Sequence, residues 1–243
     1  MPNRAAIVTG ASRGIGFALA KALAEEGFDL TVSARRPDGI EAAAERLRGE
    51  GHEVVAVAAN MADEGSPATI VERHREAYGR LDVLVNNAGV GIGAAAGEQQ
   101  TKHVDLQLQI NLRAIILGYR EALPLLREAG ARDRSALVVN LASIAGKSGQ
   151  PWLSVYAATK AAVISYTQGM NAELSGDGIR SVALCPGFVD TDMTDFVKGQ
   201  VAAEEMIRPE DLGLAVKFLL GVSPNCMIPE IVFERPGQTQ LVA

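Results

Sequence analysis

The chain has 243 residues, 48% hydrophobic and 21% charged, with a formal net charge of -6. This length suits one continuous α/β domain with a large core, and the acidic balance excludes nucleic acid as the main partner. Cys185 and Cys226 have neither CxxC spacing nor neighbouring histidines, which excludes a disulfide framework and a zinc site and reads both as reduced, small apolar residues.

The opening Met-Pro-Asn-Arg leads straight into strand-like sequence, and no apolar run reaches membrane-spanning length. A cytoplasmic protein with no signal peptide and no membrane contact is therefore expected. Strands are predicted at 5 to 10 (AAIVTG), 30 to 34 (LTVSA), 53 to 59 (EVVAVAA), 81 to 88 (LDVLVNNA), 136 to 143 (ALVVNLAS), 179 to 186 (IRSVALCP) and 227 to 233 (MIPEIVF). Helical periodicity fills 15 to 26, 39 to 50, 64 to 78, about 98 to 129, 153 to 175 and 209 to 220. Strand and helix alternating in this way predict a single α/β domain over 1–243, a Rossmann-type doubly wound parallel sheet of about seven strands with helices on both faces. The long connection 187 to 208 suggests a substrate lid at about 188–208.

The first strand runs into TGASRGIG, Thr9 to Gly16. Gly10, Gly14 and Gly16, with Ser12, Arg13 and Ile15 between them, allow a tight turn that brings backbone N–H groups and a helix N-terminus to a pyrophosphate. A plain strand-to-helix turn is the other reading, which position after the first strand disfavours. The second strand ends TVSARR, with Ala34 where an NAD site would carry an acid, then Arg35 and Arg36. Guanidinium groups here, with Arg13, favour a 2′-phosphate and hence NADP(H) over NAD(H); solvated loop charges are the bland alternative. Further along, YAATK places Tyr156 and Lys160 on one face of a helix.

With TGASRGIG, NNAG at 86 to 89, Ser143 and YAATK in order, the sequence strongly resembles the short-chain dehydrogenase/reductase superfamily, from residue 4 to about 220. It looks similar to the 3-oxoacyl-(acyl-carrier-protein) reductase branch. The resemblance implies a catalytic set of Asn111, Ser143, Tyr156 and Lys160. It implies cofactor contacts from Asn87, Ala88 and Gly89, from Tyr156 and Lys160, and from Pro186, Gly187, Val189 and Thr191. Asn60, where the family usually has an aspartate, and Met61 are expected near the adenine. A homodimer or homotetramer through the helices at 98 to 129 and 153 to 175 is also implied, with Ala157, Ala158, Ala161 and Ala162 permitting close approach or packing on the sheet.

Elementary chemistry agrees with these roles. A tyrosine hydroxyl titrates near 10, so Lys160, and a nicotinamide ring in its oxidised state, would pull it toward the working range. Ser143 would hold the substrate carbonyl oxygen near Tyr156, and Asn111 a water linking Lys160 to solvent. No zinc is needed in this scheme, and no zinc-ligand cluster is visible.

A serine hydrolase is disfavoured. Ser143 sits in LASIAG rather than GxSxG, and His52, His74 and His103 read as solvated residues rather than a base.

Substrate contacts are expected from Ser143 and Tyr156, from Gly149 to Leu153 with Gln150 and Trp152, from Val90 to Ala95, and from Phe188, Met193, Phe196 and Val197. These suit an apolar ketone or acyl group, or simply pack the lid. Two departures weaken a fatty-acid assignment: Ala172 stands where the branch carries a carrier-docking arginine, and NCMIPEIVFERPGQ replaces the usual C-terminal signatures. The expected function is NADP(H)-dependent reduction of a ketone or 3-oxoacyl group, or the reverse, on a small-molecule carbonyl or alcohol substrate. The alternative is a catalytically silent dinucleotide-binding regulatory or scaffold protein.

Overall fold

The structure, a computed structural model, describes residues 3–237; the extreme ends of the expected 1–243 domain, and Gln238 of the C-terminal segment, lie outside the described residues. Seven strands form one parallel sheet: β1 (Ala5–Thr9), β2 (Asp29–Ala34), β3 (Val54–Ala58), β4 (Val83–Asn86), β5 (Ala136–Leu141), β6 (Ile179–Pro186) and β7 (Glu230–Phe233). Their order is β3-β2-β1-β4-β5-β6-β7. The order reverses beside β1, between β2 and β4, and a crevice opens at the carboxyl ends of the strands at such a switch point.

Among the described residues seven α-helices cover the sheet: α1 (Gly14–Glu25), α2 (Pro37–Gly49), α3 (Ser66–Tyr78), α4 (Thr101–Leu108), α5 (Ala114–Asp133), α6 (Ser154–Leu174) and α7 (Pro209–Gly221). Alternate residues of each strand face opposite cores. Val8, Val32, Val85 and Val139 pack with Leu19, Leu23, Leu212 and Val216 of α1 and α7. On the other side Ile7, Leu84 and Val138 pack with Ile70, Ile115, Leu126 and Val163 of α3, α5 and α6. Each fully buried Leu or Ile side chain contributes about 1.5–3 kcal/mol.

The structure corrects several boundaries, each for a physical reason. β4 stops at Asn86, two residues early, because the Asn87 and Ala88 N–H groups donate to Thr9 Oγ1 instead of extending a ladder. β5 stops at Leu141 because the Ser143 hydroxyl takes the Ala145 N–H and starts a short 3-10 turn, Ile144–Gly146. β7 begins only after Pro229, which lacks the N–H a ladder needs. The helix expected at 98 to 129 is α4 and α5, joined by a π-turn, Gln109–Arg113, and α5 runs on to Asp133.

Two residue readings are also corrected. His74 is not solvated but fully buried: Thr31 Oγ1 lies 2.8 Å from Nδ1 and the Arg80 carbonyl 2.8 Å from Nε2. A carbonyl only accepts, so Nε2 carries the proton and Thr31 donates to Nδ1. Burial lowers its pKa to about 4. Cys226 is exposed, and Cys185 alone of the pair behaves as a buried apolar residue. Among the described residues no helix is long and apolar enough to cross a membrane.

Candidate active site

β1 ends at Thr9, and the chain turns into α1 within four residues. Gly10 takes φ +68 and Gly14 φ +55, left-handed values that a side chain resists. A Cβ on Gly16 would lie 2.3 Å from the Gly10 carbonyl oxygen and 2.4 Å from Asn87 Nδ2. Arg13 stands at the helix start without a side-chain cap, so the first N–H groups of α1 face the crevice with their partial positive charge. This cradle, which any Cβ would fill, has the form that takes a pyrophosphate.

The turn is braced from β4 and β2. Thr9 Oγ1 accepts from Asn87 N at 3.0 Å and Ala88 N at 3.1 Å, while Asn87 Nδ2 donates to the carbonyls of Thr9 (2.8 Å) and Gly10 (3.1 Å). Ala11 N donates to Ser33 O at 2.9 Å, tying the turn to the end of β2. A Cβ on Gly39 would stand 3.9 Å from the Cβ atoms of both Ser12 and Arg36, so the stem of Arg36 rises beside the turn. Arg35 and Arg36 are exposed.

The candidate catalytic side chains sit where β5 meets α6. A Cβ on Gly146 would lie 2.6 Å from the Lys160 carbonyl carbon, so glycine lets the turn after β5 lie directly on the helix. That contact brings Ser143 to Tyr156 and Lys160. Lys160 Nζ lies 5.6 Å from the Tyr156 ring centroid and donates to Leu141 O at 2.6 Å. The lysine is 4% exposed, and burial lowers its pKa to about 8. The expectation that Tyr156 is drawn toward neutrality is corrected for the protein alone: desolvation raises the phenol's pKa, opposed by the neighbouring Ser143 hydroxyl. Lys160 is itself desolvated and bonded to a carbonyl, so its charge is a weak counterweight.

Asn111 is fully buried in the π-turn. Its Oδ1 accepts from Val90 N at 2.8 Å, and its Nδ2 donates to Val90 O at 2.9 Å and Thr159 Oγ1 at 3.1 Å. One turn earlier Gln107 Oε1 accepts from Ile92 N at 3.1 Å. The extra residue of a π-turn rotates the face of the helix, and here both carboxamides meet the loop after β4.

A cleft of about 700 Å³ gathers these parts. It is lined by Gly10, Ser12, Arg13, Gly14, Ile15 and Gly16, by Asn87 to Gly93, by Ser143, Tyr156 and Lys160, and by Pro186, Gly187, Val189 and Thr191. Gln150, Trp152, Phe188, Met193 and Phe196 close its far end. Arg35, Arg36, Asn60, Met61 and Asn111 lie outside the lining. Met61 is buried in the core, and Asn60 turns its carboxamide on Ala62 N and Asp63. Val197, within the 188–208 segment, is buried and does not line the cleft. That segment is closed at its base by Asp190 N to Ile207 O (2.9 Å) and Ile207 N to Phe188 O (3.0 Å).

Sequence reasoning missed Thr9, Gly146 and Asp192, which makes an ion pair with Arg13 across the mouth of the cleft. Thr9 had a signal in its place beside the first glycine; Gly146 and Asp192 depend on tertiary contact. Among the described residues no cluster of His, Cys, Asp or Glu is arranged to hold a metal.

Known proteins resemble this chain in sequence and in fold. The sequence model of the short chain dehydrogenase family matches residues 4–201. The chain is 36% identical over 206 residues to the 3-oxoacyl-(acyl-carrier-protein) reductase FabG of Staphylococcus aureus, covering 84% of this chain and 82% of that protein. Its fold matches an alcohol dehydrogenase from the archaeon Thermococcus sibiricus, solved with 5-hydroxy-NADP, at TM-score 0.88 and 27% identity over 98% of this chain and 99% of that one. It also matches a 3-ketoacyl-(acyl-carrier-protein) reductase from Brucella melitensis, solved with NADH, at TM-score 0.83 and 28% identity over 94% of this chain and 96% of that one.

Proposed function

The chain belongs to the short chain dehydrogenase family, and from that premise we propose that it is an NADP(H)-dependent oxidoreductase that reduces a ketone to a secondary alcohol, or runs the reverse reaction. The observation that carries this reading is the convergence of Ser143, Tyr156 and Lys160 on the cleft that the glycine turn opens. Gly10 to Gly16 would hold the pyrophosphate, and Arg13, Arg35 and Arg36 a 2′-phosphate. Asn87 to Gly89, Lys160 and the Pro186 to Thr191 stretch would hold the nicotinamide riboside. The dinucleotide, when bound, supplies or accepts the hydride.

Everything else falls to side chains of this chain. Ser143 Oγ donates to the substrate carbonyl oxygen and orients it toward the phenol. Tyr156 gives its proton to that oxygen as hydride reaches the carbon, so no full negative charge develops there. A phenol whose pKa is raised by burial stays protonated, which suits an acid in the reducing direction. Lys160, 5.6 Å from the ring centroid, keeps a positive charge beside the phenolate left behind, where the bound dinucleotide would add to it. The carboxamide of Asn111 is committed to Val90 and Thr159, so a water carrying protons from solvent to Lys160 would be held by the Asn111 main-chain carbonyl, which accepts from it. Leu108 and Ile116, exposed on α4 and α5, support a homodimer or homotetramer.

The test is NADPH oxidation with a panel of ketones, acyl thioesters and quinones, alongside NADPH titration of the same protein. Tyr156→Phe should lower kcat about 10²–10⁴-fold while NADPH still binds. Turnover retained in that variant, or NADPH binding without turnover of any carbonyl by the wild type, favours the silent regulatory or scaffold reading.

A further inference from the structure

The far end of the cleft is more specialised than the reaction requires. Among the described residues, two other than glycine have positive φ, Arg134 and Trp152. Arg134 caps the end of α5, where left-handed backbone is ordinary. Trp152, at φ +65, is the third residue of a tight turn after Pro151 that Leu153 N closes on Gln150 O at 3.3 Å, a place usually left to Gly or Asn, and bulky residues held there cluster at ligand sites. Its carbonyl accepts from Ala94 N at 2.8 Å, pinning the turn to the loop after β4.

Gly93 shows how the ring is held. A Cβ there would lie 2.3 Å from indole Cδ2 and 2.4 Å from both Cε2 and Cε3. Three ring atoms at nearly one distance mean that the face of the indole, not its edge, lies on the Gly93 backbone. The Phe196 ring stands 6.0 Å from it, Phe188 meets Phe196 edge-on at 6.4 Å, and the Arg235 guanidinium lies 5.9 Å from the Phe188 ring. Trp152, Phe196 and Met193 remain about half exposed at 50%, 52% and 51%. Large aromatic surface held out of the core over a cleft is contact area for a ligand.

The rim carries the opposite message for a charged carrier. The 188–208 segment presents Asp190, Asp192, Asp195, Glu204 and Glu205 against Lys198 and Arg208. Lys198 is paired with Asp190 (3.2 Å) and Asp195 (2.8 Å), and Arg208 with Asp211 (2.6 Å). An acidic carrier protein would meet like charge here.

Resting on the ketone-reductase reading, we infer that this site selects a free, planar aromatic ketone stacked on Trp152, rather than an acyl chain delivered by an acidic carrier. Trp152 and Gly93 act as one unit, since the indole lies flat only where residue 93 has no side chain.

The probes are 2-acetonaphthone, 2-decanone and an acetoacetyl thioester of an acyl carrier protein, each with NADPH. The wild type should show kcat/KM at least tenfold higher for 2-acetonaphthone than for either of the others. Trp152→Ala should lower the ratio of naphthyl to decyl ketone at least fivefold, chiefly through KM. Gly93→Ala should lower it comparably in the wild type and not further in the Trp152→Ala background. Trp152 is the chain's single tryptophan, so saturable quenching of its fluorescence by 2-acetonaphthone in the NADP⁺-loaded enzyme, corrected for absorption, reports binding without turnover. Ketone turnover with no aromatic preference, or with better use of the carrier thioester, overturns this inference and leaves the reductase reading intact. Saturable quenching with no turnover of any carbonyl supports the aromatic site and overturns the reductase reading, and absence of both overturns both.

Discussion

On the cofactor side of the cleft, Gly16, Gly10 and Asn87 approach within distances that leave no room for one added carbon. On the substrate side, Trp152, Met193 and Phe196 stand half in solvent, and the ion pairs around them are exposed. The first wall is shaped by backbone, so its form is inseparable from the fold. The second is shaped by side chains, which change at little cost to the fold. The family match over residues 4–201 takes in both walls, and Arg208, Arg235 and β7 lie beyond it.

The contrast breaks most visibly on one pair of substitutions. Gly16→Ala forces a Cβ onto backbone atoms, and overpacking of this kind costs about 3 kcal/mol. Phe196→Ala removes a half-exposed ring and should change stability by no more than about 0.5 kcal/mol. Urea unfolding of both variants measures the difference, and equal losses would mean that the substrate wall is structural too. A second expected effect comes from Lys160, which stands where the walls meet. Its pKa is lowered to about 8, and a base with a lowered pKa loses its charge as pH rises through that value. kcat/KM for NADPH, which reports the free enzyme, should be level below about pH 8 and fall about tenfold per unit above it. A profile level to pH 10 would show that the charge on Lys160 is not needed.

A third test stays on the cofactor wall. Charge-assisted hydrogen bonds are worth about 1.5–3 kcal/mol, so the double substitution Arg35→Ala, Arg36→Ala should weaken NADPH at least tenfold and leave NADH nearly unchanged. Equal losses for both dinucleotides would assign these arginines to general electrostatics rather than to the 2′-phosphate.

How much of this was legible beforehand follows the same division. The parallel sheet was readable because its central strands are continuous apolar runs with covering helices, and the glycine turn because φ +68 at Gly10, with Asn87 and Ala88 packed against it, favours glycine. Tyr156 and Lys160 were readable as neighbours because helical spacing is fixed. The π-turn that aims Gln107 and Asn111 at the loop after β4 leaves no mark in periodicity, since it shifts the register within what looks like one helix. His74 was misread for a related reason: a polar residue on an amphipathic helix gives no sign that Thr31 and the Arg80 carbonyl wait on the sheet side. The buried ladder in which Asn86 Nδ2 donates to Asn140 Oδ1 at 2.9 Å, and Asn140 to Tyr119 at 2.9 Å and Thr167 at 3.0 Å, spans more than fifty residues of chain. Such partners are visible only once β4 and β5 are paired.

The smallest expected effect bears on where the two walls touch. Arg13 of the glycine turn is paired with Asp192 of the 188–208 segment, and the two side chains are 64% and 59% exposed. Exposed pairs of this kind contribute about 0–1 kcal/mol, so Asp192→Ala should leave the unfolding midpoint nearly unchanged. Its effect on the cofactor has a definite sign. If Arg13 reads the 2′-phosphate, it must first leave Asp192, and removing the carboxylate removes a competitor for the same guanidinium. NADPH affinity should then rise about two- to fivefold, the equivalent of about 0.4–1 kcal/mol, with no change for NADH, and the gain should shrink as salt screens the resting pair. Weaker NADPH binding in Asp192→Ala would reverse the assignment: the ion pair would then be the contact that positions Arg13, and the phosphate would be left to Arg35 and Arg36.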